Sequence, residues 1–176
     1  MIRETKETKI IIDFSENNEK ISTGDKVLNH LLKTMFFYMN KKICITVEKW
    51  DLKHHLWEDT GIVVGEALSK DKNKIKRFGS AIMPMDDALV LVSLDISRTY
   101  TNFEIEWNLD ETGFEKSLIE EFLKGLSRSL SATLHIKTLS GQNAHHVTEA
   151  IFKGLGIALK QALQNTDTAI STKGTV

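Results

Sequence analysis

Two pairs of adjacent histidines, His54-His55 and His145-His146, are each followed at the same spacing by a glutamate, Glu58 and Glu149. Imidazole nitrogen together with carboxylate oxygen is a donor set for a divalent metal ion. On a helix, residues four apart share a face. His54 with Glu58, and His145 with Glu149, can therefore each offer two donors to one ion. The adjacent residue points about 100° away around the helix, so His55 and His146 should not bind the same ion as their immediate neighbours. The economical arrangement is reciprocal. One metal takes His54, Glu58 and His146; the other takes His145, Glu149 and His55. The remaining two histidines, His30 and His135, could each complete one shell. Adjacent histidines thus imply two metals and at least two chain segments, on one subunit or on different ones.

The set contains no thiolate. It suits Mn, Fe, Co, Ni or Zn, and argues against an iron–sulfur cluster or a structural cysteine–zinc site. Four ligands of this mixed type leave room for substrate at a six-coordinate Mn2+ or Fe2+ ion. One histidine pair at a helix start is as readily a wet surface feature. Two pairs in register within an internal repeat are not.

The elements that must carry these residues are legible from periodicity. Residues 9–14 and 42–47 read as strands, and residues 27–36 have helical apolar spacing. A helix over about residues 56–69 follows His54-His55. The second half repeats the order. Residues 88–96 form a buried-strand run, residues 102–107 alternate, and residues 117–130 are amphipathic. A short strand at 133–136 precedes a helix from His145 to about residue 163. The segments HHLWEDTGIVVGEAL at 54–68 and HHVTEAIFKGLGIAL at 145–159 share the histidines, the glutamate, Gly65 with Gly156, and the closing Ala-Leu. A duplication explains this better than two unrelated domains. The expected fold is α/β of the α+β type, with internally duplicated half-domains. Each half is a small mixed sheet with two helices, and the helices pack between the sheets. The expected organisation is one catalytic domain, 1–176, made of repeats over about 1–80 and 81–176.

Composition narrows the function classes. The 176 residues carry 23 basic and 24 acidic side chains, a net charge of −1, which gives no electrostatic case for nucleic acid. No apolar run is long enough for a membrane span, and the start lacks the apolar core of a signal peptide. The lone Cys44 lies in a strand-like run and reads as a buried thiol in a reducing cytoplasm.

At these residues the chain resembles the imidazoleglycerol-phosphate dehydratase family of histidine biosynthesis. The likeness runs through Thr5-Lys6-Glu7-Thr8, Leu28-Asn29-His30-Leu31-Leu32, His54-His55-x-x-Glu58-Asp59, Arg77-Phe78-Gly79-Ser80 and Pro84-Met85-Asp86-Asp87-Ala88-Leu89. It continues through Leu94-Asp95-Ile96-Ser97, Thr133-Leu134-His135-Ile136, Gly141-Gln142-Asn143-Ala144-His145-His146-x-x-Glu149 and Ser171-Thr172-Lys173-Gly174. The combination is specific where single pieces are not. The resemblance implies a lyase that removes water from imidazole glycerol phosphate to give imidazole acetol phosphate. It implies two Mn2+ ions per active site, with Fe2+, Co2+ or Zn2+ as alternatives. It also implies a cytoplasmic homo-oligomer, a twenty-four-subunit shell with sites between subunits. The metal ligands would be the six histidines with Glu58 and Glu149. Arg77, Ser171 and Lys173 would hold the phosphate, with Arg98 a further candidate. Glu7 would carry the proton.

The chain departs from the family pattern in places. The family usually has an aspartate directly before each histidine pair, a group that would orient ligands; here Lys53 and Ala144 stand there. The segment before His54 is about two residues short. Thr34 replaces a glutamine. These changes keep a second reading open, a diverged two-metal lyase or hydrolase acting on another phosphorylated heterocycle. A third is a metal-dependent storage shell, against which the retained phosphate-binding residues argue.

Overall fold

The computed structural model describes residues 1–14, 19–69 and 75–167. Its first half runs β1 (Ile2–Glu4), β2 (Thr8–Asp13), β3 (Lys20–Ser22), α1 (Lys26–Met39), β4 (Cys44–Trp50), α2 (Lys53–Leu68). The second half runs β5 (Phe78–Met85), β6 (Ala88–Ile96), β7 (Tyr100–Glu104), α3 (Lys116–Leu130), β8 (Ala132–Ser140), α4 (Ala144–Ala162). Each half builds one four-stranded sheet in the same order, β1-β2-β4-β3 and β5-β6-β8-β7. Only the last pair of each sheet is parallel, β3 with β4 and β7 with β8. Even the irregularity is duplicated, since β2 slips register at Lys9/Ile10 and β6 at Leu89/Val90.

Alternation sets the layers. In β6, every second residue from Ala88 to Ile96 is buried, and in β2 Thr8, Ile10 and Ile12 are buried. The buried faces of both sheets turn toward the helices, which lie between them. There α2 packs on β2, and α4 packs on β5 and β6. Across the midline, α2 crosses α3 and α1 crosses α4. A single core results, in which Trp57, Phe36, Phe122 and Phe152 are fully enclosed.

Several elements differ from the periodicity reading. The strands β1 and β3 have 3 residues each, too few to show a period. The strand β5 carries Pro84, which masks a strand pattern. The helix α2 begins at Lys53, so His54 and His55 lie in its first turn rather than ahead of it. The strand β7 ends at Glu104, and β8 extends over 9 residues rather than a short stretch. Cys44 is half-buried, not buried, because alternation sends its neighbours Ile43 and Ile45 inward instead.

The repeated glycine has a packing cause. An added Cβ at Gly156 would overlap the Met35 carbonyl oxygen and lie 3.0 Å from Tyr38 Cβ, both on α1. At Gly65 it would lie 2.7 Å from the Leu126 carbonyl oxygen on α3. Each cross-half helix pair therefore touches backbone to backbone at this position. Gly156→Ala would gain about 1 kcal/mol of helix propensity and lose about 1–3 kcal/mol or more to overpacking. A net drop in the urea unfolding midpoint is expected. Gly154→Ala is the milder comparison, because its Cβ would press at 2.9 Å on a side-chain methyl of Val92 rather than on backbone. An unchanged midpoint for Gly156→Ala would contradict the close crossing.

Candidate metal centre

The caps of α1 and α4 fix where the histidines fall. Asp25 accepts the backbone N–H groups of Val27 at 2.8 Å and Leu28 at 3.0 Å. Asn143 does the same for His145 at 2.8 Å and His146 at 3.2 Å. The α1–α4 crossing then brings His30 against the first turns of α4. His30 Nε2 lies 3.0 Å and His145 Nε2 lies 3.3 Å from the same oxygen, Glu149 Oε2. The three donor atoms lie within 4.8 Å of one another. The other oxygen, Oε1, pairs with Lys153 Nζ at 2.9 Å. Burial pushes the Glu149 carboxyl up, but the hydrogen bonds from Lys153 and His30 outweigh it and hold it at about 2. The group is thus a standing carboxylate aimed between two imidazoles. Two nitrogens and an anionic oxygen at one point fit a divalent ion.

The duplication places a related cluster on the α2–α3 pair. His54, Glu58 and Glu121 also have donor atoms within 4.8 Å of one another. His54 Nε2 lies 3.8 Å from Glu58 Oε2, while Arg128 of α3 holds Glu58 Oε1 at 3.0 Å. Both glutamates therefore turn one oxygen to a cation and the other to histidine. Where α1 carries His30, α3 contributes Glu121.

The other three histidines go elsewhere in the chain. Alternation in β8 sends Leu134 and Ile136 into the core, so His135 faces outward beside Tyr100, ring centroids 5.6 Å apart. His55 turns Nδ1 to Asp51 Oδ1 at 2.8 Å, with Glu7 Oε2 at 3.7 Å. His146 turns Nδ1 to Asp87 in the β5–β6 turn. Within one chain, then, the structure joins His145 and Glu149 with His30, and His54 with Glu58. It does not bring His146 to His54, nor His55 to His145.

These contacts answer the missing aspartates. Asp51, one helical turn before His55, supplies a ring-orienting carboxylate in place of the residue at Lys53. Asp87 supplies one for His146. The hydrogen bond to Asp51 raises the His55 pKa, and the bond to Asp87 raises that of His146. Asp87 itself is held at about 2, first by His146 and then by the backbone N–H of Gln142. Lys53 instead reaches the α1 cap, with Nζ 3.5 Å from Asp25 Oδ2, and so ties together the starts of the two helices. Ala144 is fully buried, where a charged side chain would have no water. Thr34 sits half-buried one turn beyond His30.

Of the phosphate candidates, Arg77 is the most constrained. Its φ of +79° is unusual for a residue with a side chain and costs about 1–3 kcal/mol. Backbone hydrogen bonds to Ala162 at 2.8 Å and from Ile96 at 2.7 Å hold it there. Asp95 grips its guanidinium through two bonds, 2.8 Å from Nε and 3.0 Å from Nη2. Arg98 is exposed after β6. Ser171 and Lys173 lie outside the described residues. Sequence reasoning missed the contacts of Asp51, Asp87, Glu121 and Lys153 with these side chains. The i, i+4 spacing of Asp51 to His55 and of Glu149 to Lys153 was a usable signal.

Fold and centre together define a duplicated α/β protein with histidine–carboxylate clusters at its helix crossings that could hold metal ions. The chain belongs to the imidazoleglycerol-phosphate dehydratase family, whose sequence model matches residues 23–159. A relative of that name from Pyrococcus furiosus is 53% identical over 99% of this chain and 99% of its own. Another from Sulfurisphaera tokodaii is 46% identical over 92% of this chain and 88% of its own. A crystal structure of IGPD from Pyrococcus furiosus superposes with a TM-score of 0.96 at 52% identity, covering 100% of both chains. One of imidazoleglycerol-phosphate dehydratase from Staphylococcus aureus gives 0.82 at 35% identity, covering 94% of this chain and 98% of that one.

Proposed function

We propose that this chain is a cytoplasmic hydro-lyase that dehydrates imidazole glycerol phosphate to imidazole acetol phosphate at sites built between copies of itself. The carrying observation is the convergence of His30, His145 and Glu149. Family membership supports the same activity. One ion would be held by these three residues with His55 of another copy. The second would be held by His54 and Glu58 with His146, and His135 would complete a shell. His135 lies on the face of its sheet opposite the helices, which supports a site shared with a neighbouring subunit. The family resemblance implies a homo-oligomer of twenty-four copies with two Mn2+ per site, an assembly in which such shared sites would form. The bound ions would supply Lewis acidity and a template for the imidazole ring.

The chain's own residues supply the rest. Glu7, in the turn between β1 and β2, would carry the proton. Thr5 fixes this turn, since its Oγ1 accepts the backbone N–H of Glu7 at 3.1 Å and of Thr8 at 2.9 Å. Arg77, clamped by Asp95, would present a fixed cation to the phosphate, with Arg98, Ser171 and Lys173 as further partners. No helix among the described residues is long and apolar enough to cross a membrane.

Metal content and particle size should be measured together on the purified protein. The expected result is a large homo-oligomer with two ions per chain. A chelator should remove the metal, abolish turnover and reduce the particle size. Full turnover after complete metal removal would overturn the metal-dependent reading.

A further inference from the structure

The loop between β7 and α3 closes on His145 from outside the histidine-pair motif. Glu111 Oε1 lies 3.2 Å from His145 Nδ1. The ring of Phe114 stacks on the imidazole, with centroids 4.5 Å apart and planes at 15°. The loop is itself pinned on two sides. At α4, the backbone N–H of Leu109 donates to the Gln142 carbonyl at 2.7 Å, and the N–H of Ala144 donates to the Leu109 carbonyl at 2.9 Å. At α1, Gly113 has a φ of +95°, and an added Cβ would lie 2.8 Å from Val27 Cγ2. Trp107 Nε1 donates to Asp110 at 2.7 Å and braces the bend between these anchors. The segment is therefore tied both to the helix that carries His145 and to the helix that carries His30.

We propose that Glu111 and Phe114 are positioning residues that lock the His145 ring with Nδ1–H toward Glu111 and Nε2 toward Glu149. This inference rests on His30, His145 and Glu149 holding a metal ion. A carboxylate can only accept, so a ring bonded to Glu111 must carry its proton on Nδ1. That leaves Nε2, the atom facing Glu149, as the metal donor. A ring has one further freedom, rotation about its bond to the chain. The flat face of Phe114, only 7% exposed and packed in the core, removes it. The neighbouring His146 has no parallel ring stack among the described residues and pairs with Asp87 and Asp86.

The test measures Mn2+ affinity by competition, as the chelator concentration that withdraws half the metal from the assembled, Mn2+-loaded particle, and the visible spectrum of the Co2+-loaded protein, on the wild type and three variants. Glu111→Ala should weaken Mn2+ binding by roughly 10–100-fold and shift the Co2+ bands, with particle size and unfolding midpoint unchanged. Glu111→Gln should recover most of the affinity, because its amide oxygen accepts the same hydrogen bond. Phe114→Leu, which keeps the apolar volume but loses the flat face, should shift the Co2+ bands. Wild-type affinity and an unshifted spectrum in Glu111→Ala would overturn the proposal. So would equal losses in the Gln and Ala variants, since charge rather than ring orientation would then be the cause. A wild type that binds no Mn2+ would instead overturn the metal reading on which the proposal rests.

Discussion

Glu149→Gln is expected to empty the α1–α4 cluster of metal and to cut kcat/KM by more than about 100-fold. The bound follows from magnitude. Removing a group that merely orients a metal ligand costs roughly 10–100-fold, and Glu149 stands inside the cluster itself. Its Oε2 is the one oxygen that both His30 and His145 face, at 3.0 and 3.3 Å. Glutamine keeps the length and still accepts from Lys153, so the helix and its cap survive. What disappears is the negative charge at the centre, held ionised by Lys153 and His30 against burial. Metal analysis of the purified variant checks the outcome. Full metal content with kcat/KM within a few-fold of wild type would show that the cluster is a structural ion-pair network only.

Glu7→Gln is the second large effect, a fall in kcat of about 10²–10⁴-fold with metal content and KM nearly unchanged. The turn carrying Glu7 is held by Thr5, whose contacts to the backbone survive the substitution. Glutamine matches the shape but cannot exchange a proton. The carboxylate lies 3.7 Å from His55 Nδ1 and is half-exposed, so it can reach both the proposed ligand and a substrate arriving from solvent. An unchanged kcat would remove Glu7 from the chemistry.

The histidine pairs, the glutamates one turn on and the duplication were legible in the sequence because they are local. Helical spacing is enough to predict that His145 and Glu149 share a face. The resemblance to a known family supplied Glu7 and the phosphate candidates, which local spacing does not mark. The carboxylates that orient the rings were hidden. Glu111 is 34 residues from His145 and Asp87 is 59 residues from His146, and neither lies on a periodic element. The choice of His30 as the partner of Glu149 was equally out of reach, because it depends on which helices cross. Gly156 permits the close approach in that crossing, since its missing side chain lets α4 lie against the Met35 carbonyl. Lys53 shows a further limit. The family pattern makes it a lost orienting group, whereas in three dimensions it bridges to Asp25, and Asp51 orients His55 instead.

The most direct measurement is turnover of imidazole glycerol phosphate by the assembled, Mn2+-loaded protein, run beside other phosphorylated imidazoles and azoles. The predicted result is metal-dependent formation of imidazole acetol phosphate, with the other compounds converted far more slowly. No imidazole acetol phosphate from a fully metal-loaded, fully assembled sample would contradict the account.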